Sequence, residues 1–184
     1  MTTSTDRVIV GVDGSPASLA ALRRAAWVAT CRGLPLWLVT GVTLPDGAGA
    51  SLDDASATAL PRIWDRRAEA LLDDACARAL ADFGENRPQI VRRIVHGAVG
   101  AKLAATATSA GDLIVLGAPA RGRLRRIVSG PSTAWQCVRT ARCPVFLVRP
   151  GEEPAADANP AAGRSRRSAR SARSARRAAG RAGR

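Results

Sequence analysis

The 184-residue sequence has no tyrosine, two phenylalanines and a single histidine, and aromatic residues make up only 3% of it. Tryptophans 27, 37, 64 and 135 fall within element patterns. That placement suits core or interface residues and argues against a row of stacking platforms. Four cysteines are present, Cys31, Cys76, Cys137 and Cys143, with no CxxC pair and no compact grouping around His96. This spacing argues against a structural zinc site. The first three lie in helical patterns and the fourth at a strand start, so all are expected to act as buried small hydrophobes. No apolar run reaches membrane-spanning length, and the opening MTTSTDRVIV lacks a charged region followed by a long apolar stretch. The expectation is a cytoplasmic protein with reduced thiols and no membrane partner. His96 has no nucleophile or carboxylate partner identifiable by spacing. Asp73 and Asp74, as sequence neighbours on a helix, do not face each other. No catalytic residue is expected.

What is present is alanine, aliphatic residues and arginine. A hydrophobic content of 46% suffices for a core, and alanine favours helices. The formal charge is +13. Between Arg164 and Arg184 stand nine arginines and no acid; with Glu152, Glu153 and Asp157 counted, the segment after Pro150 carries +6 and residues 1–150 carry +7. Such a balance points to phosphates, nucleic acid or acidic surfaces. Residues 151–184 contain almost no large apolar side chain and repeat RSARSARSAR. Nothing there offsets the entropy of ordering, so a domain at 1–150 with a disordered basic tail at 151–184 is expected.

Along the chain, short apolar runs alternate with helical patterns. RVIVGV at 7–12 reads as a buried strand, followed by Ser15 as an N-cap and Pro16 at the first helical position. Leu19, Leu22, Ala26 and Ala29 then recur at helical spacing until Gly33. LPLWLVTGV at 34–42 is the second strand, and residues 43–59 read as a long loop. A helix is expected over 60–83 with Trp64, Leu71, Ala75, Ala79 and Phe83 along one stripe. Residues 89–95, carrying Arg92 and Arg93, read as an edge strand. Helices over 98–109 and 132–140 bracket the run Leu113–Leu116, and Val145–Val148 belong to a fifth strand. The alternation predicts a parallel sheet with right-handed crossovers, whose ligands sit beyond the carboxyl ends of the strands.

The stretch DLIVLGAPARGRLRRIVSGPST, 112–133, is the most informative. A buried strand is followed by a loop with Gly117 and Gly122 and the arginines 121, 123, 125 and 126. The loop closes at Gly130, Pro131, Ser132 and Thr133 as a helix start. Backbone N–H groups, a helix N-terminus and guanidinium forks together suit a phosphate, and so a nucleotide. Glycines that merely turn the chain and arginines that are merely solvated form the competing reading.

Three linked segments carry a resemblance: VIVGVDGSPASLAALRRAA, HGAVGAKLAATATSAGDLIVLG, and the run from Gly117 through CPVFLV. Over roughly residues 6–150 the chain resembles the universal stress protein family. The resemblance implies an open five-stranded α/β domain of Rossmann-like type, strand order 3-2-1-4-5, with helices on both faces. It also implies a homodimer formed through the last strand (Val145, Phe146, Leu147, Val148) and ATP, with Mg²⁺, as ligand. In the ATP-binding motif of such proteins, Gly117 fills the first glycine position and Gly130 the third. Ala120 stands at the second and Pro131 at a Ser/Thr position, with Ser132 and Thr133 following. Asp13 matches the acid on the adenosine side, Val42 lies near the position flanking adenine, and Gly97 matches the glycine after the third strand. Ala120 adds a Cβ where backbone should approach phosphate, and Pro131 offers neither N–H nor hydroxyl. Weakened ATP binding is therefore expected, with Gly122 and the loop arginines as partial compensation. Three functions are open: a nucleotide-binding regulatory module in stress response, a non-nucleotide adaptor of the same fold, and a polyanion or nucleic-acid binder using Arg164–Arg184. No positioned base for ATP hydrolysis is identifiable, though slow hydrolysis stays open.

Overall fold

The computed structural model describes residues 6–43, 54–118 and 132–151, with the side chains of residues 54–60 outside that description. All of these fall in the first of two units, Met1–Glu153. Five strands, β1 (Val8–Gly11), β2 (Leu36–Val42), β3 (Ile90–His96), β4 (Leu113–Gly117) and β5 (Val145–Val148), form one sheet in the order β3-β2-β1-β4-β5. Every pairing is parallel, with Val8 opposite both Leu36 and Leu113. Among the described residues, α-helices α1 (Pro16–Arg32), α2 (Asp54–Ala79), α3 (Val99–Thr106) and α4 (Thr133–Thr140) lie between them.

The period-two alternation of β1 divides the core. Val8 and Val10 pack with Leu22, Leu36, Leu38, Leu72 and Leu80 against α1 and α2. Ile9, one residue out of phase, packs with Val39, Leu103, Ile114, Leu116 and Cys137 on the α3 and α4 side. A strand that faces helices on both sides must be apolar at successive positions, and VIV is. Alanine takes the place of aromatics: Ala20, Ala21, Ala25, Ala26 and Ala29 of α1 are fully buried and let that helix lie close to the sheet.

Helix α1 begins and ends as its sequence predicts. Ser15 is the N-cap, accepting the Ser18 N–H at 3.2 Å, and Pro16 opens the helix. Gly33 closes it in the left-handed conformation at φ 66°, and Leu34 N–H reaches Ala29 O at 2.9 Å. Below the sheet, Asp112 is 1% exposed and accepts N–H groups from Arg7 (2.9 Å), Thr108 (2.8 Å) and Ser109 (3.0 Å). This buried carboxylate ties the entry of β1 to the entry of β4.

Several expectations need correction. Helix α2 starts at Asp54, inside the stretch expected to be loop, and contains Pro61. It ends at Ala79, and Phe83 belongs to a short 3₁₀ segment, Ala81–Asn86. Its buried residues are Ala68, Leu72, Ala75, Cys76 and Ala79; Ala75 and Ala79 are as expected, whereas Leu71 is only partly buried beside a fully buried Leu72. Helix α3 stops at Thr106 because residues 107–112 turn to form the Asp112 cap. Cys31 lies exposed at the end of α1, whereas Cys76 and Cys137 are buried and Cys143 is partly so. Trp135 is 50% exposed and is not a core residue. Among the described residues no helix is long and apolar enough to cross a membrane.

Candidate functional site

A cleft of about 310 Å³ opens at the carboxyl ends of β1, β2 and β4. It lies where the chain leaves β1 toward β2 on one side and leaves β4 toward β5 on the other, the reversal point at which parallel sheets accept ligands. Gly11, Val12 and Asp13 form one wall; Val39, Thr40 and Gly41 of β2 form a second; Leu116 and Gly117 of β4, with Thr133 and Ala134 of α4, form the third. Leu71, Val99 and Leu103 close the sides with apolar surface. An apolar slot with few polar groups suits a flat, partly polar molecule.

Asp13 is the carboxylate of this cleft, and the turn into α1 holds it. Ser15 donates its backbone N–H to Asp13 Oδ1 at 2.9 Å. The N–H of Asp13 is donated to Ser18 Oγ at 3.4 Å, and that hydroxyl donates to Ser15 O at 3.0 Å. Burial works against ionisation of Asp13, but the hydrogen bonds from Ser15 and then Ser18 outweigh it and hold the carboxyl below its ordinary value of 3.8. An ionised carboxylate offers about four lone-pair sites and so retains acceptor capacity for an amino or hydroxyl group in the cleft.

Gly117 also has a packing task. A Cβ there would lie 2.5 Å from Ala17 C, 2.6 Å from Ala17 O and 2.8 Å from Ser18 N. All three are backbone atoms of α1, so the glycine lets the first turn of α1 press against the end of β4. The same contact sets the turn that carries Asp13, Ser15 and Ser18. Opposite, Ser132 caps α4 by accepting the Trp135 N–H at 3.2 Å, so its hydroxyl serves the helix and Thr133 is the residue that faces the cleft.

The cleft thus brings together Asp13, Gly117 and Thr133. Val42 is buried, pairs with His96 in register and stands outside the cleft walls. Gly97 follows β3 at φ 86°, donating its N–H to Val42 O at 3.0 Å, and is likewise outside. Ala120, Gly122 and Gly130 lie outside the described residues, as do Pro131 and the tail arginines. Thr40, only 4% exposed, and the neighbouring Gly41 line the cleft although sequence reasoning passed over them. The signal was the polar, small pair TG interrupting an otherwise apolar strand. His96 lies away from the cleft, its Nε2 3.2 Å from Asp65 Oδ1. Among the described residues no histidine or cysteine borders the cleft.

A model of the universal stress protein family matches residues 4–149. Among solved structures, UspA from Lactobacillus plantarum aligns with a TM-score of 0.58 at 24% identity, covering 78% of this chain and 97% of that one. A protein of the same family from Burkholderia pseudomallei aligns at 0.55 and 25% identity, covering 80% and 98%. A universal stress protein solved in complex with cAMP aligns at 0.55 and 24% identity, covering 79% and 98%. No curated protein matches the sequence. With the family model spanning nearly all of the described fold and the strand order in agreement, the chain belongs to the universal stress protein family.

Proposed function

We propose that the protein is a regulatory module of the stress response that binds an adenine nucleotide, ATP with Mg²⁺, in the cleft between β1 and β4. The observation that carries this reading is the convergence of the Asp13 carboxylate, the apolar slot and the start of α4 at the reversal point of the sheet. A similar fold solved with cAMP supports an adenine nucleotide as the class of ligand. The cleft lies at the small end of ligand sites, which run from about 300 to 1,000 Å³. It suits base and ribose, and the phosphates are assigned to the stretch between Gly117 and Thr133 on its sequence. Among the described residues no three His, Cys, Asp or Glu side chains gather into a metal shell. We assign Mg²⁺ to the nucleotide's phosphates.

Affinity is set low by Ala120 and Pro131. A hydrogen bond to a charged group contributes about 1.5–3 kcal/mol, so the missing Pro131 N–H alone weakens binding roughly tenfold or more. Binding is coupled to self-association through β5, which is an edge strand with Phe146 and Leu147 each 43% exposed. A second copy paired there would cover both side chains and the open backbone. The four free cysteines fit work in a reducing cytoplasm.

The test is calorimetric titration of the full chain with ATP and Mg²⁺. Saturable binding in the high micromolar to millimolar range is expected, lost in Asp13→Ala and tightened in Ala120→Gly. Binding must persist when the nine tail arginines are replaced by glutamine. Heat that disappears with those arginines but not with Asp13 would refute the cleft as the site.

A further inference from the structure

Helix α2 overhangs the cleft, and two ion pairs fix its register on the sheet. Asp73 meets Arg92 of β3 at 2.8 Å, and Asp65 meets His96 at 3.2 Å. The acids are eight residues apart on the helix and their partners four apart on the strand. Both spans come to about 12–13 Å, so α2 runs antiparallel to β3. His96 is the last residue of β3 and pairs with Val42, the last of β2. Residues 54–64 of α2 therefore stand beyond the carboxyl edge of the sheet, the edge on which the cleft opens. Ala68 and Leu72 turn to the sheet and are buried. Leu71 turns toward the loop that carries Asp13: it lines the cleft and is the neighbour that a Cβ at Gly14 would meet, at 3.6 Å. Positions three, four and seven residues apart share a helix face, so Arg67 and Trp64, one and two turns above Leu71, continue its row out of the cleft. The Arg67 guanidinium lies 5.8 Å from the centroid of the Trp64 ring; Trp64 is partly buried and Arg67 exposed. Such a stack is ordinary on a helix surface, and its place above Leu71 is what gives it a ligand to face.

We propose that the Arg67 guanidinium, backed by the Trp64 ring, is the platform on which the base of the bound nucleotide stacks. This rests on the nucleotide reading of the cleft and adds to it the residue that selects the base. The direction of the ligand decides which of its ends reaches α2. Its phosphates are assigned to the β4 and α4 side, and the Asp13 carboxylate stands past the end of β1. Helix α2 lies against β3, on the other side of β1 in the strand order. The end of a nucleotide farthest from its phosphates is the base, a flat π-system. A planar guanidinium stacks on such a face, and an ammonium has no plane to offer. The ring behind Arg67 holds that plane in place, which lowers the entropy lost when a long side chain is ordered by its ligand. Arg67 is thus the contacting residue and Trp64 a positioning residue. A purine offers a larger stacking face than a pyrimidine, so the platform favours ATP over UTP.

The experiment is calorimetric titration of the full chain with ATP and with UTP, each with Mg²⁺, in the parent and in four variants. The parent should favour ATP. Arg67→Ala should weaken ATP binding between about fivefold and a hundredfold, the range for losing one stacked base, and should narrow the preference over UTP. Arg67→Lys keeps the charge without the plane and should lose nearly as much. Trp64→Ala should weaken ATP binding several-fold, and Trp64→Phe should keep most of the affinity. Arg67 is exposed, so its variants should retain the circular dichroism and melting midpoint of the parent. An Arg67→Ala affinity within twofold of the parent would overturn the platform. So would an Arg67→Lys variant equal to the parent, which would make the contact one of charge alone, or an ATP-to-UTP ratio that Arg67→Ala leaves untouched. With Asp13→Ala still abolishing binding, those three results would leave the nucleotide cleft standing. No saturable ATP binding to the parent would remove the platform and the nucleotide reading together.

Discussion

A methyl group at Gly117 has nowhere to go, because the nearest atoms are the backbone of Ala17 and Ser18. Gly117→Ala must therefore push the start of α1 away from β4, at a cost of about 1–3 kcal/mol for overpacking. A thermal unfolding scan should show the midpoint fall by several degrees, with nucleotide affinity falling as well because Asp13 and Ser15 share that turn. Ser15→Ala removes the cap and the hydroxyl that helps hold Asp13 ionised, and should cost about 1 kcal/mol, with the main-chain N–H of residue 15 still donated to Asp13. Cys137 behaves differently from Cys31. Its thiol is buried, lies 3.1 Å from Gly100 O, and burial pushes it up from 9.0 to about 11. Folding thus disfavours its thiolate, so this contribution to stability is fully present below pH 9 and is lost as pH rises toward 11. The denaturation midpoint should decline over that window and decline less in Cys137→Ala. In the native state a thiol reagent should label Cys31 first and Cys137 last.

Among the elements, legibility followed how strongly each segment's burial was written into its sequence. Helix α1 was plain because Ser15, Pro16 and Gly33 punctuate a buried alanine and leucine face. The start of α2 was not, because DASATA carries no large apolar side chain and so shows no period. The end of α3 was missed because it depends on Asp112, a carboxylate that reads as a strand boundary and acts as a buried acceptor of three N–H groups. Arg92 and Arg93 marked β3 as an edge, and both are exposed there. At the other edge, β5 exposes Phe146 and Leu147. If it is the self-association strand, Phe146→Glu should convert a dimer into a monomer in sedimentation velocity while the circular dichroism stays that of the parent. A parent that sediments as a monomer at every concentration would contradict that assignment.

At the scale of the molecule, the parallel sheet followed from alternating strand and helix patterns, but the order 3-2-1-4-5 did not: it came from the family resemblance. Periodicity says which face a residue takes, not which strand lies beside which. The cleft was legible in part for the same reason. Asp13, Gly117 and Thr133 end or begin elements and stand out, whereas Thr40 and Gly41 are hidden inside a strand. The chain offers ATP two places of different kind, a cleft with one ordered carboxylate and a C-terminal segment whose sequence holds nine arginines. ATP carries enough negative charge to be drawn to either, so affinity alone does not locate it. The most direct measurement is photolabelling of the full chain with 8-azido-ATP followed by peptide mapping. The account predicts ATP-competable label in the segments around Asp13, Thr40 or Thr133, absent in Asp13→Ala. Label confined to the C-terminal arginine segment, or label that excess ATP does not displace, would contradict it.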